Sequence, residues 1–180
     1  MSYAARPWAR KTAFEFPILE PSCLLTLRDE LLSLGLGEDA HTVAAQALLF
    51  EEFLAVQAKV GRFRPALRAA QQPMRVHGHC HQKAFGATAP VLEVLRLIPG
   101  AEPTLIESSC CGMAGSFGYE AAHHAVSMQM AELSLLPAVR AAPDPIIVAD
   151  GTSCRQHIAD GAGREALHVA RVLADHLVEA

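Results

Sequence analysis

Short apolar runs alternate along the chain with longer amphipathic segments, and turn-forming residues stand between them. The apolar runs predict four buried strands, at residues 16–19, 74–77, 104–106 and 145–149. Apolar positions at helical spacing predict helices over residues 24–34, 40–60, 89–98, 121–136 and 163–178. Because strand, turn and helix follow one another four times, the pattern predicts an α/β fold, a parallel sheet with helices on both faces.

Proline and polar residues mark two breaks in this pattern. Residues 1–15 form a polar lead-in, because arginine, lysine and proline interrupt any hydrophobic period there. The segment from Pro65 to Pro73 has the character of a boundary between two folded units. Two similar motifs, one on each side of that boundary, indicate a weak internal repeat. Residues 20–23 and residues 151–154 both follow an apolar strand, end in Ser-Cys and lead into a helical segment.

Composition and charge narrow the class of protein. With 180 residues the chain is long enough for one sizeable core or two small lobes, and 51% apolar residues place it among globular proteins. A net charge of −4 argues against a nucleic-acid-binding module, which needs a basic face. We find no signal peptide and no apolar run that would span a bilayer, so we expect a cytoplasmic protein with reduced cysteines.

All five cysteines lie just after a predicted strand and at or before the start of a helical segment. In a parallel sheet these positions share one edge, at the carboxyl ends of the strands, where ligands bind in open α/β folds. We therefore expect the cysteines to lie on loops at that edge and to converge there. The expected group is Cys80, Cys110, Cys111 and Cys154, with Cys23 the furthest out.

The segment that begins at Cys110 and Cys111 contains the highest density of candidate site residues. Adjacent cysteines bridge poorly to each other but are well placed to bind one metal centre. Gly112 and Gly115 let the backbone approach a bulky group, so they are candidate cofactor-binding residues. Four thiolates suffice for a [4Fe–4S] cluster, and soft sulfur ligands select iron–sulfur clusters or zinc over hard cations. Against this, any single cysteine is more often a buried core residue.

Histidines around Cys80 add a second set of donors. His77, His79 and Cys80 can in principle hold zinc, whereas histidines beside a cluster can instead donate hydrogen bonds to its sulfides. The run His81-Gln82-Lys83 can place positive charge near an anionic cluster or substrate.

Four motifs, at residues 20–23, 77–83, 110–120 and 151–156, together give the chain a family resemblance. It resembles the cysteine-rich CCG domain of FAD-linked oxidases and of the iron–sulfur subunits of glycolate, D-lactate and related 2-hydroxy acid dehydrogenases. Heterodisulfide reductase has related domains. The resemblance covers roughly residues 17–178, and the motif that contains Cys110 and Cys111 is its most specific part.

The resemblance implies an electron-transfer domain that receives electrons from a flavin or a ferredoxin-type centre. By this resemblance, residues 16–72 would be the C-terminal part of a preceding CCG-like repeat, of which Cys23 would be the last cysteine. Residues 73–180 would be a complete CCG domain. FAD would lie only on a partner domain or chain. His157 stands where some relatives have a further cysteine, which leaves a four-ligand site. The resemblance matches the cluster cysteines to Cys80, Cys110, Cys111 and Cys154, and Cys23, His79 and His157 are additional candidate ligands.

Three functions remain open from the sequence. The first is an iron–sulfur electron-transfer subunit or C-terminal domain of a flavin-dependent 2-hydroxy acid oxidoreductase, with no catalytic residue of its own. The second is a zinc-binding structural or interaction module, and the third is a thiol–disulfide redox domain of the heterodisulfide type. The expected partners are a flavoprotein and a ferredoxin-type domain or subunit, with a homodimer as an alternative. Any membrane association would be peripheral, through such a complex.

Overall fold

The chain forms two parallel β-sheets and the helices that cover them. The structure, a computed structural model, describes residues 16–141 and 144–178, so the predicted polar lead-in at 1–15 lies outside the described residues. The first part contains β1 (Phe16–Ile18), α1 (Pro21–Arg28), a 3₁₀ helix (Glu30–Leu34), α2 (Glu38–Gln46), β2 (Ala47–Leu49) and α3 (Phe50–Lys59). The second part contains β3 (Met74–His77), α4 (Cys80–Ala84), α5 (Ala89–Leu95), β4 (Pro103–Leu105), a 3₁₀ helix (Phe117–Tyr119), α6 (His124–Glu132), α7 (Leu135–Ala141), β5 (Ile146–Ala149), α8 (Thr152–Ala162), β6 (Ala166–Leu167) and α9 (Val169–Asp175).

All of these strands pair in parallel. β1 and β2 form a two-stranded sheet, and the larger sheet has the order β4-β3-β5-β6. Helices cover both faces of the larger sheet, which confirms the predicted α/β class. Parallel strands need long crossover connections, and the helices between the strands supply them.

Side chains of the central strands pack into two separate apolar cores, one on each face of the sheet. Val76 of β3 and Val148 of β5 pack into one core with residues of α3, α5 and α9. Ile147 and Ala149 point the other way, into a core with residues of α7 and α8, and α6 packs on these two helices. This is the two-residue period of a strand that is buried on both faces.

The order of the strands creates a topological switch point at the carboxyl edge of the larger sheet. After β3 the chain moves to β4 on one side, and after β4 it crosses to β5 on the other side of β3. The loops that follow β3 and β5 therefore diverge from two neighbouring strands, and open α/β sheets bind ligands at such a point. α4 begins with Cys80 directly after β3, and Cys154 lies in the first turn of α8 after β5.

The predicted helix over 40–60 is wrong at its centre. Residues Ala47–Leu49 form β2, which separates α2 from α3 and pairs with β1. All three residues of β2 are buried, and a short, fully buried apolar run has the same hydrophobic pattern in a strand as in a helix. Pairing with β1, which is distant in sequence, makes this run a strand rather than part of a helix. Because β1 pairs with β2, it belongs to a two-stranded sheet that is separate from the larger sheet.

Three other predicted helices differ in their bounds. The segment 24–34 divides into α1 and a 3₁₀ helix, and the segment 121–136 contains α6 and the start of α7. Pro137 lies in the first turn of α7 rather than after its end, a position where proline loses no helical hydrogen bond. The segment 163–178 contains β6 before α9, because Ala166 and Leu167 pair with β5.

A buried ion pair holds β2 in place. The guanidinium of Arg28 at the end of α1 donates hydrogen bonds to the Glu52 carboxylate and, from Nε, to the carbonyl of Ala47 at 2.8 Å. Glu52 also accepts the backbone N–H of Leu49 at 2.9 Å. Both charged side chains are at most 6% exposed. The pair therefore joins α1, β2 and α3.

We expect the substitution Arg28→Met to lower the free energy of unfolding by about 3–5 kcal/mol, because it removes the cation that compensates a buried carboxylate. Denaturant unfolding measures this change. Arg171→Met is the matched control, since its partner Asp175 and Arg171 itself are exposed and such pairs contribute little. Equal effects of the two substitutions would contradict the structural role of Arg28.

Candidate metal centre

Four cysteine side chains meet at the carboxyl edge of the larger sheet. The sulfur of Cys80 contacts that of Cys110, Cys110 contacts Cys111, and Cys111 contacts Cys154, so the four form a continuous chain of contacts. Cys111 and Cys154 are buried, and Cys80 and Cys110 are half-buried. Three loops that are distant in sequence thus bring together the four residues expected to converge. Cys23 is exposed in α1 and does not belong to this chain of contacts.

His77 joins the buried side of this group. One of its ring nitrogens and the sulfurs of Cys111 and Cys154 all lie within 4.8 Å of one another. Nδ1 of His77 is 2.9 Å from the Ser108 hydroxyl, and Nε2 has no hydrogen-bond partner among the described residues. The sequence suggested His77 together with His79 and Cys80 as zinc ligands, whereas the structure groups His77 with the two buried cysteines.

The other candidate histidines have different surroundings. Nδ1 of His79 accepts the backbone N–H of His81 at 3.2 Å and caps α4, and it lies 4.0 Å from the Cys80 sulfur. His157 is buried, with Nδ1 3.4 Å from the Ser127 hydroxyl and with Nε2 lacking a partner among the described residues. Neither histidine belongs to the group formed by His77, Cys111 and Cys154.

The loop after Cys110 wraps around its sulfur. The backbone N–H groups of Gly112, at 3.3 Å, and of Ala114 both point to the Cys110 sulfur. This path needs positive φ angles, of 94° at Gly112, 45° at Ala114 and 66° at Gly115. Backbone donors directed at a sulfur stabilise its thiolate and, in metal centres, tune the ligand.

Lys83 of α4 fixes the start of the same loop. Its Nζ donates hydrogen bonds to the carbonyls of Ser108 at 2.5 Å and Ser109 at 2.6 Å, and it lies 3.3 Å from the Ser108 hydroxyl. Burial lowers the pKa of Lys83, and the cysteines nearby oppose that shift because they favour its charged form. The residue predicted to bring positive charge to the site therefore also joins α4 to the cysteine loop.

Hydrogen bonds among the four sulfurs divide them into two kinds. Contacts with Cys111 and Cys80 lower the pKa of Cys110, and the contact with Cys111 lowers the pKa of Cys154 to about 5. Hydrogen bonding to Cys110 raises the pKa of both Cys80 and Cys111. Adjacent negative charges therefore oppose the ionisation of all four thiols in the metal-free chain. Four thiolates require a cation among them, so this donor set fits a soft metal or an iron–sulfur cluster.

A buried polar network, which the sequence did not reveal, supports the turn that carries Cys80. Gln82 of α4 accepts the backbone N–H of His79 at 2.9 Å, and its amide nitrogen donates to Glu51 at 2.7 Å and to Asp150 at 3.2 Å. Glu51 lies within the segment predicted as one long helix, where it would count as a polar surface position. The only feature of the sequence that indicates the burial of Glu51 is its position among the apolar residues of that segment.

The two similar motifs, at residues 20–23 and 151–154, contact each other. The carboxylate of Glu20, just before α1, accepts hydrogen bonds from the backbone N–H and the hydroxyl of Thr152, both at 2.9 Å. Thr152 is the first residue of α8, and Cys154 follows two residues later. The turn between β1 and α1 therefore helps to fix the helix that carries Cys154.

The chain is similar to parts of two dehydrogenase proteins of Escherichia coli strain K12. Over 107 residues it is 32% identical to a subunit of the anaerobic glycerol-3-phosphate dehydrogenase, a match that covers 58% of this chain and 27% of the relative. Over 157 residues it is 30% identical to D-2-hydroxyglutarate dehydrogenase, which covers 86% of this chain and 15% of the relative. The chain thus spans about a quarter or less of the curated relatives that it matches.

Other comparisons add no closer assignment. No family model matches the chain, and no solved structure matches it. Within residues 16–141 and 144–178, no helix has the length and the apolar character needed to cross a bilayer.

The two glycines predicted to bind a cofactor differ sharply in their surroundings. A Cβ on Gly112 would lie 2.2 Å from the carbonyl oxygen of Ser127, whereas a Cβ on Gly115 would meet nothing within 4 Å. Ser127 also donates a hydrogen bond from its hydroxyl to the Gly112 carbonyl at 2.8 Å. Gly112 is therefore the point at which the cysteine loop packs closely on α6.

We expect Gly112→Ala to lower the free energy of unfolding more than Gly115→Ala does. Both substitutions place a side chain at positive φ, which costs about 1–2 kcal/mol, but only the first also collides with α6. Denaturant unfolding of the two metal-free variants makes the comparison. A Gly115→Ala variant as unstable as Gly112→Ala would refute the close packing of the loop on α6.

Proposed function

We propose that this chain is an iron–sulfur electron-transfer unit of a flavin-dependent oxidoreductase. The observation that carries the proposal is the chain of contacts among four cysteine sulfurs at the switch point of a parallel sheet. The residues that would hold a [4Fe–4S] cluster are Cys80, Cys110, Cys111 and Cys154. Bound there, such a cluster would supply one-electron transfer.

The protein around the sulfurs suits a negatively charged redox centre. Backbone N–H groups point to Cys110, and the ammonium group of Lys83 is fixed beside the loop. His77 lies against the two buried sulfurs and can donate a hydrogen bond to them from Nε2. Each of these groups favours electron uptake, because each lowers the electrostatic cost of added negative charge.

The unequal burial of the cysteines indicates where electrons would enter and leave. Cys80 and Cys110 are half-buried, whereas Cys111 and Cys154 lie against the sheet. A partner would therefore approach the side that presents Cys80 and Cys110. We propose that this partner is a flavoprotein domain or subunit, together with a ferredoxin-type domain, and that FAD binds there rather than on this chain.

The relatives support a role in the oxidation of hydroxyl-bearing substrates. By name, one is a dehydrogenase of D-2-hydroxyglutarate, a 2-hydroxy acid, and the other is a subunit of a dehydrogenase of glycerol-3-phosphate, a secondary alcohol. We propose a 2-hydroxy acid or a related alcohol as the substrate class of the complete oxidoreductase, and we propose the CCG domain as the family. Within this proposal, residues 16–72 correspond to the end of one repeat and residues 73–180 to a second, complete repeat.

One observation favours zinc as a second candidate. His77, Cys111 and Cys154 form a compact, buried group of one imidazole and two thiols, and mixed nitrogen and sulfur ligands are typical of structural zinc sites. Cys110 or Cys80 would then complete a tetrahedron. In that case the chain would be a structural or interaction module rather than an electron carrier.

Anaerobic purification of the chain, followed by assay of iron, acid-labile sulfide and zinc, separates these functions. We expect iron and sulfide together with broad visible absorbance, because thiolate-ligated clusters give such a spectrum. Stoichiometric zinc without sulfide would refute the cluster and support the structural module. Absence of metal, with fast oxidation of the thiols to a disulfide, would instead support a thiol–disulfide redox domain.

Two cysteine substitutions test the ligand set. We expect Cys111→Ser to abolish cluster retention, because Cys111 contacts both Cys110 and Cys154. Cys23→Ser is the matched control and should retain the cluster, because Cys23 is exposed and lies outside the chain of contacts. Iron and sulfide per chain are the measurement. Full retention by Cys111→Ser, or loss in Cys23→Ser, would remove this ligand assignment.

A further inference from the structure

Two buried carboxyl groups lie next to the cysteine site and share a single amide. Gln82 donates from Nε2 to Oε1 of Glu51 at 2.7 Å and to Oδ2 of Asp150 at 3.2 Å. Glu51 and Gln82 are completely buried, and Asp150 is 2% exposed. The network adjoins the site on two sides, because Gln82 also binds the backbone of His79 and Asp150 precedes the helix that carries Cys154.

The two acids differ in their hydrogen-bond partners. Asp150 also accepts the backbone N–H of Val169 at 3.1 Å through Oδ1, and Nε2 of His168 is 3.6 Å from the same oxygen. The Glu51 carboxyl accepts hydrogen bonds from the Gln82 amide and from its own backbone N–H, and its Oε2 has no partner among the described residues. Because one oxygen of Glu51 has no donor, ionisation of Glu51 is costly, and a proton on Glu51 avoids a second buried charge.

Other charged groups around Glu51 leave this assignment unchanged. Its neighbour Glu52 is bound by Arg28. His79 is the titratable group on the turn between β3 and α4. Burial lowers its pKa and so favours its neutral imidazole. Burial, followed by repulsion from Asp150, raises the pKa of Glu51 well above the usual range of a glutamate. Within the described part of the chain, no lysine or arginine donates a hydrogen bond to the Glu51 carboxyl.

From this geometry we propose that Glu51 is a proton-binding site coupled to electron uptake at the cysteine centre. The inference rests on the proposed electron-transfer function. At a pH where Glu51 is ionised, one electron from a reduced flavin enters the centre and one proton from solvent binds the Glu51 carboxylate. The reverse step releases both. The added negative charge of the reduced centre is then offset by the loss of a negative charge on Glu51.

The reduction potential of the cluster-loaded protein should therefore depend on pH. At low pH Glu51 is protonated in both redox states, so the potential is constant. As pH rises and Glu51 ionises in the oxidised state, the potential should fall by about 59 mV per pH unit, the value for one proton per electron. Buried glutamates can ionise near about pH 8–9, so a titration from about pH 6 to about pH 10 covers the transition.

Glu51→Gln provides the decisive variant. Glutamine has the shape of a protonated glutamate and cannot ionise, so we expect its potential to stay constant with pH, at the low-pH value of the wild type. Glu102→Gln, the same change at an exposed position before β4, should keep the wild-type pH dependence. A wild-type potential that is constant over this range, or a slope retained in Glu51→Gln, would overturn the proposal.

Infrared spectroscopy of the metal-free chain gives a readout that does not depend on the cluster. We expect the carbonyl band of a protonated carboxylic acid at neutral pH, and its absence in Glu51→Gln. If the chain binds no cluster but shows this band, the proposed function fails while the protonated state of Glu51 stands. A wild-type spectrum without the band would overturn the assignment of the proton, whatever metal the chain binds.

Discussion

A continuous chain of contacts among four cysteine sulfurs is the constraint on which the rest of the structure depends. Neighbouring thiolates repel one another, so the sulfurs can all ionise only when positive charge is close by. The fold brings backbone N–H groups to Cys110 and the ammonium of Lys83 to the start of the cysteine loop, and it places His77 against the two buried sulfurs. The sulfurs lie at the switch point between β3 and β5, where the loops that follow neighbouring strands diverge.

The short helix α4 connects this constraint to the remainder of the molecule. Its first residue, Cys80, faces the other sulfurs, Gln82 reaches the buried acids on α3 and after β5, and Lys83 holds the loop before Cys110. A helix of five residues has little stability of its own. These long-range contacts therefore hold α4 in place, and through it they set the position of Cys80.

Local pattern was sufficient to predict much of the fold and the principal cysteines. β3 and β5 are short, mostly buried strands followed by turn residues, and a parallel sheet places the residues after them at one edge. β2 and β6 could not be predicted, because each lies inside a segment whose apolar residues also fit a helix, and pairing with a distant strand decides between the two. The grouping of His77 with Cys111 and Cys154, and the burial of Glu51 beside Asp150, depend on contacts between distant segments that have no local signature.

The contact between Glu20 and Thr152 has a consequence for how the site comes into being. It joins residues 132 positions apart, and the segment between them contains three of the four clustered cysteines. Contacts of such long range form slowly, because closing a large loop costs entropy before any packing compensates it. During synthesis Cys80, Cys110 and Cys111 leave the ribosome well before Cys154 and its helix. The nascent chain therefore passes through a period in which three of the four thiols are present and the helix that carries the fourth is not yet formed, so the complete group of four sulfurs assembles late in folding.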